Sequence, residues 1–244
     1  MADDVDVHGG GGLDRGPDPL GGFNTGPSKD GAGAFAPVDW VVLEGVLHGG
    51  AKYAYRVYES ARTVAVLGRS CVEEDDLEVL NCRADGVPIQ RRAGGGGTVV
   101  LAKGMAVITA AGVTSLPFHL KEHMNAVNES VIALLKGLGV RDLAIRGVSD
   151  IALGDRKIAG SSLYRTRNIV LYQGSLLVDP DPGVFDRYLK HPKKEPEYRR
   201  GRSHAGFLTS LRGEGYAIGT DSIVAALSRA LAEGPPWRGL RAPV

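Results

Sequence analysis

Two segments of this chain combine residue types that can handle an anion. In the first, Arg91-Arg92-Ala93 leads into four glycines, Gly94 to Gly97, and Thr98 opens the apolar run that follows. Glycine has no Cβ, so its backbone can approach a ligand closely and adopt positive φ. Successive amides can then form a concave nest of donors. Arginine adds two-pronged recognition of carboxylate or phosphate. A loose surface loop is the plain alternative, but apolar strands on either side hold this loop at both ends. It is neither a Walker loop nor a dinucleotide fingerprint, because the Lys-Ser/Thr ending and the following helix are both missing.

The second segment runs from Asp150 through Gly154-Asp155-Arg156-Lys157-Ile158-Ala159-Gly160 to Ser161 and Ser162. Lys157 follows a tight turn and stands on a strand among apolar neighbours. An ammonium there can sit on an acyl carboxylate or an α-phosphate, where negative charge builds during a displacement. A solvated edge-strand lysine is the bland alternative. Gly160 and the two small serines leave room for a ligand. A third stretch, Arg187 to His204, is rich in lysine and arginine. It reads either as an exposed loop or as a docking surface for an acidic partner or for phosphates, with Arg202 and His204 as the residues to watch. Of the six histidines only His119 and His123 stand at a His-x3-His spacing; with no second ligand pair a structural zinc site is not expected, and the two read as surface decoration.

The elements that must position these residues follow from periodicity. A helix is expected over Asp39–His48, stopped by Gly49-Gly50. Strands are expected at Tyr53–Tyr58 and Thr63–Leu67, a helix at Val72–Ala84, and a short strand at Val87–Gln90 that feeds the glycine loop. Thr98–Leu101 and Met105–Ala110 read as a hairpin about Lys103-Gly104. Leu120, Met124, Val127, Val131, Leu134, Leu135 and Leu138 keep a three-four spacing, which predicts a long helix over His119–Leu138. Val148–Leu153 and Arg156–Ser161 form a hairpin about Gly154-Asp155. Ile169–Leu171 and Ser175–Val178 supply one more strand or a pair. Helices follow at Val184–Leu189 and His204–Leu211, and Thr220 caps a last helix that Gly234-Pro235 stops. Hairpins outnumber crossovers, so the sheet is mixed and mostly antiparallel in one α/β (α+β) domain.

Composition sets the wider frame. The 29 basic and 28 acidic residues nearly cancel, which favours neither nucleic acid nor a membrane surface as partner. Two cysteines, Cys71 and Cys82, are too few for a disulfide framework and fit a reducing compartment. With no apolar run long enough to span a bilayer and no secretory pattern at the start, the expected location is the cytoplasm. Residues 1–37 are rich in Gly, Asp and Pro and read as a disordered tail. Residues 38–234 make up the expected folded domain, catalytic by the resemblance described next, and 235–244 a short C-terminal tail.

Taken in order, Val66-Leu67-Gly68-Arg69, then Arg91-Arg92 with Gly95-Gly96-Gly97-Thr98-Val99, then Asp150 with Gly154 to Ser161, then Gly174-Ser175-Leu176-Leu177 resemble the lipoate-protein ligase family, which is related to biotin-protein ligases and octanoyltransferases. Tyr188-Leu189-Lys190, Pro196-Glu197-Tyr198-Arg199 and Gly201-Arg202-Ser203-His204 look like one branch of it. The resemblance covers about Val38 to Leu211. It implies a fold like the catalytic domain of biotin-protein ligases and class II aminoacyl-tRNA synthetases. It implies an enzyme that makes acyl-AMP from lipoate or octanoate, ATP and Mg²⁺, then passes the acyl group to a lysine of a lipoyl carrier domain. By the same resemblance Arg69, Arg91, Arg92, Gly95, Gly96, Gly97 and Thr98 cover the acyl-adenylate. Lys157 contacts its carboxyl and phosphate oxygens, and Asp150, Gly160, Ser161, Ser162 and Gln173 line the substrate. Mg²⁺ accompanies ATP near Asp150, and strands around Val99, Ile108 and Leu171 offer an apolar slot for the acyl chain.

The chain also departs from the pattern. Leu101-Ala102 stands where many relatives have His-Asp, Met105 where asparagine is typical, and Gln173 where a histidine often precedes the Gly-Ser-Leu-Leu motif. The accessory C-terminal domain of longer ligases is absent, a role open to a separate chain. These departures keep two alternatives: an octanoyltransferase that uses a carrier-bound acyl group, and an inactive lipoyl- or carrier-binding module. Neither cysteine lies just ahead of the Lys157 motif, where one transferase branch places its nucleophile, and both read as buried small apolar residues.

Overall fold

A computed structural model describes residues 37–241, with the backbone alone at 37–39. The tail expected over 1–37 lies outside the described residues apart from Pro37, which opens the first helix, α1 (Pro37–Leu47). Nine strands follow: β1 (Tyr53–Glu59), β2 (Val64–Leu67), β3 (Ile89–Arg91), β4 (Val99–Leu101), β5 (Met105–Val113), β6 (Leu143–Arg146), β7 (Asp150–Leu153), β8 (Arg156–Thr166) and β9 (Ile169–Leu177). The main sheet has six strands in the order β1-β5-β9-β8-β7-β6, and every neighbouring pair is antiparallel. The mostly antiparallel α/β architecture expected from the hairpin count is therefore the one observed.

Strand alternation divides the two faces of this sheet. On β5, Ala106, Ile108 and Ala110 point to the large core, together with Tyr172 and Leu176 of β9. The long helix α4 (Leu120–Gly137) covers that face with Val127, Val131 and Leu135, and the C-terminal helix α7 (Thr220–Ala232) with Ile223, Leu227 and Leu231. The opposite face is only half covered. Val42, Leu43 and Val46 of α1 pack on Ala111 and Leu171 at one end. At the other end, Val107, Thr109, Gln173 and Ser175 face a cavity.

A second sheet closes over that open end. It has the order β3-β2-β4, with β2–β3 parallel and β2–β4 antiparallel. This corrects the expected hairpin about Lys103-Gly104, because β4 pairs with β2 while β5 pairs with β1 and β9. Gly104 makes the hand-over. It has φ +84, and a Cβ there would lie 2.2 Å from the Asp179 carbonyl oxygen. Its N–H donates to Glu59 Oε1 at 2.7 Å, and its carbonyl accepts from Val178 and Asp179.

Other elements also differ from expectation. The helix expected over Val72–Ala84 is two short pieces, α2 (Glu73–Asp76) and α3 (Val79–Ala84). Leu77 between them is fully buried and forms a bridge with Leu189, so burial of one leucine overrides helical continuity. Of the single strand or pair expected after Asn168, the structure has the single strand β9. Helix α5 (Gly183–Tyr188) is near its expected place, but α6 (His204–Phe207) is a single turn. There Leu208 bridges to Lys157, and the Thr209 amide donates to the Lys157 carbonyl, turning the chain into extended form. Gly219, not Thr220, is the N-cap of α7. His123 is no surface decoration: it is fully buried, with Nδ1 2.6 Å from the His119 carbonyl and Nε2 2.8 Å from Thr114 Oγ1. Beyond α7, Trp237 is buried against Tyr53 and His123, and Leu240 packs on the large core. Among the described residues no helix is long and apolar enough to cross a membrane.

Candidate functional site

Lys157 is placed by an irregularity in the sheet. Ala159 pairs with Ile151 and Lys157 with Ala152, so two steps on β8 oppose one step on β7, and Ile158 is the extra residue of a β-bulge. Strict alternation would put Lys157 on the face opposite Gly160 and Ser162. The bulge brings all three to the cavity, while Ile158 enters the core fully buried. The Lys157 ammonium is 2.7 Å from Asp150 Oδ1, and Tyr198 donates to Asp150 Oδ2 at 2.8 Å. The lysine stem lies across Gly160, where a Cβ would come within 2.7 Å of Nζ. The space at Gly160 thus receives the lysine.

Asp150 itself is engaged at both oxygens, which does not fit a Mg²⁺ ligand. Among the described residues no group of three or more His, Cys, Asp or Glu side chains is arranged to hold a metal. Behind Asp150, a buried polar set links the motif to α4. Asn128 donates to the Ser149 carbonyl at 3.1 Å and accepts from Tyr172 at 2.7 Å. The Ser149 hydroxyl donates to the Ser161 carbonyl at 2.9 Å, and Ser161 returns a bond to the Ser149 carbonyl at 3.2 Å. Ser161 therefore helps hold the frame as well as lining the cavity.

The glycine loop forms the facing wall. Arg92 is buried and donates to the carbonyls of Val66, Gly95 and Gly97, the last two at 2.7 Å. Arg91 donates to the carbonyls of Gly68, Arg69 and Cys71. Both guanidiniums thus brace backbone, and Arg91 sets the 68–71 turn from outside the cavity lining. Arg69 is exposed, and its amide donates to Gly94. Gly96 has φ +86, and Gly68 is needed for close approach, since a Cβ there would lie 2.0 Å from the Gly96 carbonyl oxygen. Gly96, Gly97 and Thr98 line the site, while Gly95 does not; Thr98 donates to Asp76 Oδ2 at 2.5 Å.

Two adjoining cavities, about 610 and 440 Å³, share Gly97, Thr98, Lys157, Gly160 and Arg199 in their walls. The larger carries Lys190, Lys193 and Lys194 on one side, with Lys193 paired to Asp75 at 2.7 Å. The smaller is apolar on one side, with Tyr58, Val66, Val99, Leu101 and Val107. The expected apolar slot is thus corrected at two of three positions. Val99 lines it, but Ile108 is on the α4 face and Leu171 lies under α1. Of the departures from the family pattern, Leu101 lines the smaller cavity, whereas Ala102 and Met105 are buried with Leu177 and Phe185. Gln173 pairs with Ser162 and Thr109 across the strands, and its Oε1 is buried with no hydrogen-bond partner.

The 190–204 loop roofs the site. Arg202, expected to dock a partner, bonds inward. It pairs with Asp155 at 2.9 Å and donates to the Asp155, Tyr198 and Arg199 carbonyls, tying the roof to the β7–β8 turn. His204 is buried 3.1 Å from Asp186 and lines the larger cavity; burial, then Arg199, holds its pKa below the usual histidine range. Cys82 is a core residue, but Cys71 lines the larger cavity with Sγ 3.5 Å from the Gly96 carbonyl oxygen. Burial, then Asp76, pushes the Cys71 thiol up, which opposes a thiolate. Tyr58 entered the site without a sequence signal; Tyr198 and Arg199 stood in the Pro196-Glu197-Tyr198-Arg199 stretch of the resemblance but were given no role there.

The Lipoyl protein ligase A/B catalytic domain model matches residues 36–232, so the chain belongs to that family. Lipoate-protein ligase A of Psychrobacter cryohalolentis is 32% identical over 142 residues, 57% of this chain and 39% of that protein, so the match spans well under half of this relative. A lipoate protein ligase structure from Thermoplasma acidophilum with bound lipoic acid superposes with TM-score 0.65 at 20% identity, covering 80% of this chain and 78% of that one. The bi-partite ligase studied with its lipoyl domain from the same organism gives 0.61 at 21% identity, covering 75% and 71%. Lipoate-protein ligase A bound with ATP gives 0.62 at 22% identity, covering 75% and 73%. These likenesses show a shared fold.

Proposed function

We propose that the chain is the catalytic unit of an ATP-dependent lipoate-protein ligase. The observation that carries this reading is the junction of an apolar cavity and a basic cavity at the Lys157 ammonium, opposite the glycine loop. An acyl acid in the smaller cavity and a nucleotide in the larger would bring a carboxylate and an α-phosphate to that junction. The two anions repel, and a fixed cation lowers the barrier most as charge accumulates. Asp150 and Tyr198 hold the lysine in place. A carboxylate oxygen attacks the α-phosphorus, and pyrophosphate leaves. The neutral amine of a carrier lysine then attacks the acyl carbon, and AMP leaves. The relatives with lipoic acid and with ATP support this pairing of substrates. Mg²⁺ would come with the nucleotide rather than through Asp150.

The carrier is proposed to be a lipoyl domain with an acidic surface. The exposed Lys194 and Arg200 on the roof loop fit such a partner, in place of the inward-turned Arg202. A separate accessory chain is proposed as a further partner, by analogy with the bi-partite ligase of Thermoplasma acidophilum. Cys71 in the cavity wall is the observation behind the second reading, acyl transfer through a thioester, and its raised pKa counts against it.

The test is pyrophosphate release with ATP and lipoate or octanoate, read beside the mass of a lipoyl domain. Lys157→Ala is expected to stay folded by circular dichroism and lose roughly a hundredfold in adenylation, the effect of removing one such electrostatic partner. Lys157→Arg is not expected to rescue it. Carrier modification without pyrophosphate release would move the assignment to a transferase. Acyl or carrier binding with neither reaction would make it a binding module.

A further inference from the structure

Arg199 ends the 3₁₀ turn Glu197–Arg199 in the roof loop, and its side chain is 5% exposed. Its guanidinium lies 4.9 Å from the Phe207 ring centroid. Nε donates to the Arg202 carbonyl at 2.9 Å, and a Glu195 carboxylate oxygen is 3.5 Å from the same nitrogen. Nη2 is different: it is buried and has no hydrogen-bond partner. The residue lines both cavities. A buried guanidinium donor without an acceptor is strongly unfavourable, and native structures satisfy such groups almost everywhere. Burial is the largest influence on this guanidinium and works against its charge, with Glu195 offsetting part of it.

The contrast with Lys157 identifies the unfilled group. Both residues stand where the cavities join, but the lysine ammonium already has a carboxylate at 2.7 Å. Arg199 is held on its Nε side and by the Phe207 ring, while Nη2 has no acceptor within the chain. We infer that Arg199 is a binding residue whose Nη2 anchors an oxyanion of the substrate, either the acyl carboxylate or the nucleotide α-phosphate. The inference rests on the proposed function only for the identity of these two anions. Arg199 would fix the anion from the roof while Lys157 meets it from the sheet.

The test is direct binding by calorimetry, with no turnover required. The ligand pairs are octanoate against octanamide and AMP against adenosine, so each pair differs by the charged group. Arg199→Met keeps an apolar stem over Phe207 and removes the donors. It is expected to weaken one anion of the set by roughly 10- to 100-fold, the span of a charge-assisted hydrogen bond, and to leave the neutral member of that pair within twofold. Loss confined to octanoate assigns the carboxylate, and loss confined to AMP assigns the phosphate. Arg199→Lys retains a charge without the fork and is expected to recover only a small part. Unchanged affinity for both anions in a folded Arg199→Met protein overturns the anchor and leaves the ligase reading standing. Wild-type protein that binds neither anion overturns both. Should both variants unfold, wild-type crystals soaked with octanoate or AMP decide. An oxygen within hydrogen-bond distance of Nη2 supports the inference, and anions seated elsewhere refute it.

Discussion

Replacing Gly160 by alanine should separate folding from catalysis. Gly160 lies within β8 and is not among the positive-φ residues, so alanine suits its backbone. In a strand this exchange is neutral or stabilises by about 0.5–1 kcal/mol. The new methyl group, however, would lie 2.7 Å from Lys157 Nζ and 2.8 Å from Cε. Ordinary contact begins near 3.5 Å, so the lysine tip must retreat by roughly 0.8 Å. It can do so cheaply, because it is the free end of a flexible chain. It cannot do so and keep its 2.7 Å contact with Asp150 unchanged. A misplacement of about 1 Å in a positioned group costs on the order of a hundredfold in rate. Gly160→Ala should therefore melt at or slightly above the wild-type temperature and release pyrophosphate about 10- to 100-fold more slowly with ATP and lipoate. The assay is coupled pyrophosphate detection, with thermal melting and Lys157→Ala run alongside. A Gly160→Ala protein that adenylates at the wild-type rate while Lys157→Ala is inactive would refute the claim that the space at Gly160 positions the ammonium.

Two further outcomes are expected. Gly96→Val places a β-branched residue at φ +86 against Arg92 Nη2 at 3.2 Å; it should lower stability by roughly 1–3 kcal/mol and abolish calorimetric binding of a non-hydrolysable acyl-adenylate, and retained binding would mean the loop does not shape the ligand. Cys71→Ser should keep carrier modification within twofold, with no acyl-enzyme in intact mass spectra of the wild type, because the thiol is held protonated. A trapped wild-type thioester together with an inactive serine variant would establish covalent transfer instead.

Local sequence determined much of this molecule. Runs of β-branched and aromatic residues bounded by turn signals located most strands, and three-four spacing located α4 and α7, because a helix must place one apolar face against a core. The Gly154-Asp155 turn, the glycine loop and the Lys157 motif were also legible, since each depends on residue types that are contiguous in the chain. Tertiary structure decided what those residues meet. Leu77 broke a helix because the small sheet offered it a buried place. β4 and β5 parted because Gly104 could pass beneath Asp179. Ile108 turned from the cavity by strand parity, while a single bulge reversed that parity for Lys157. Arg91 and Arg202 look alike in sequence to Arg199, yet they bind backbone carbonyls contributed by distant turns. Only the packed fold determines which guanidinium finds its acceptors within the chain and which is left with a buried donor that has none. That outcome depends on long-range hydrogen-bond satisfaction, and no local spacing encodes it.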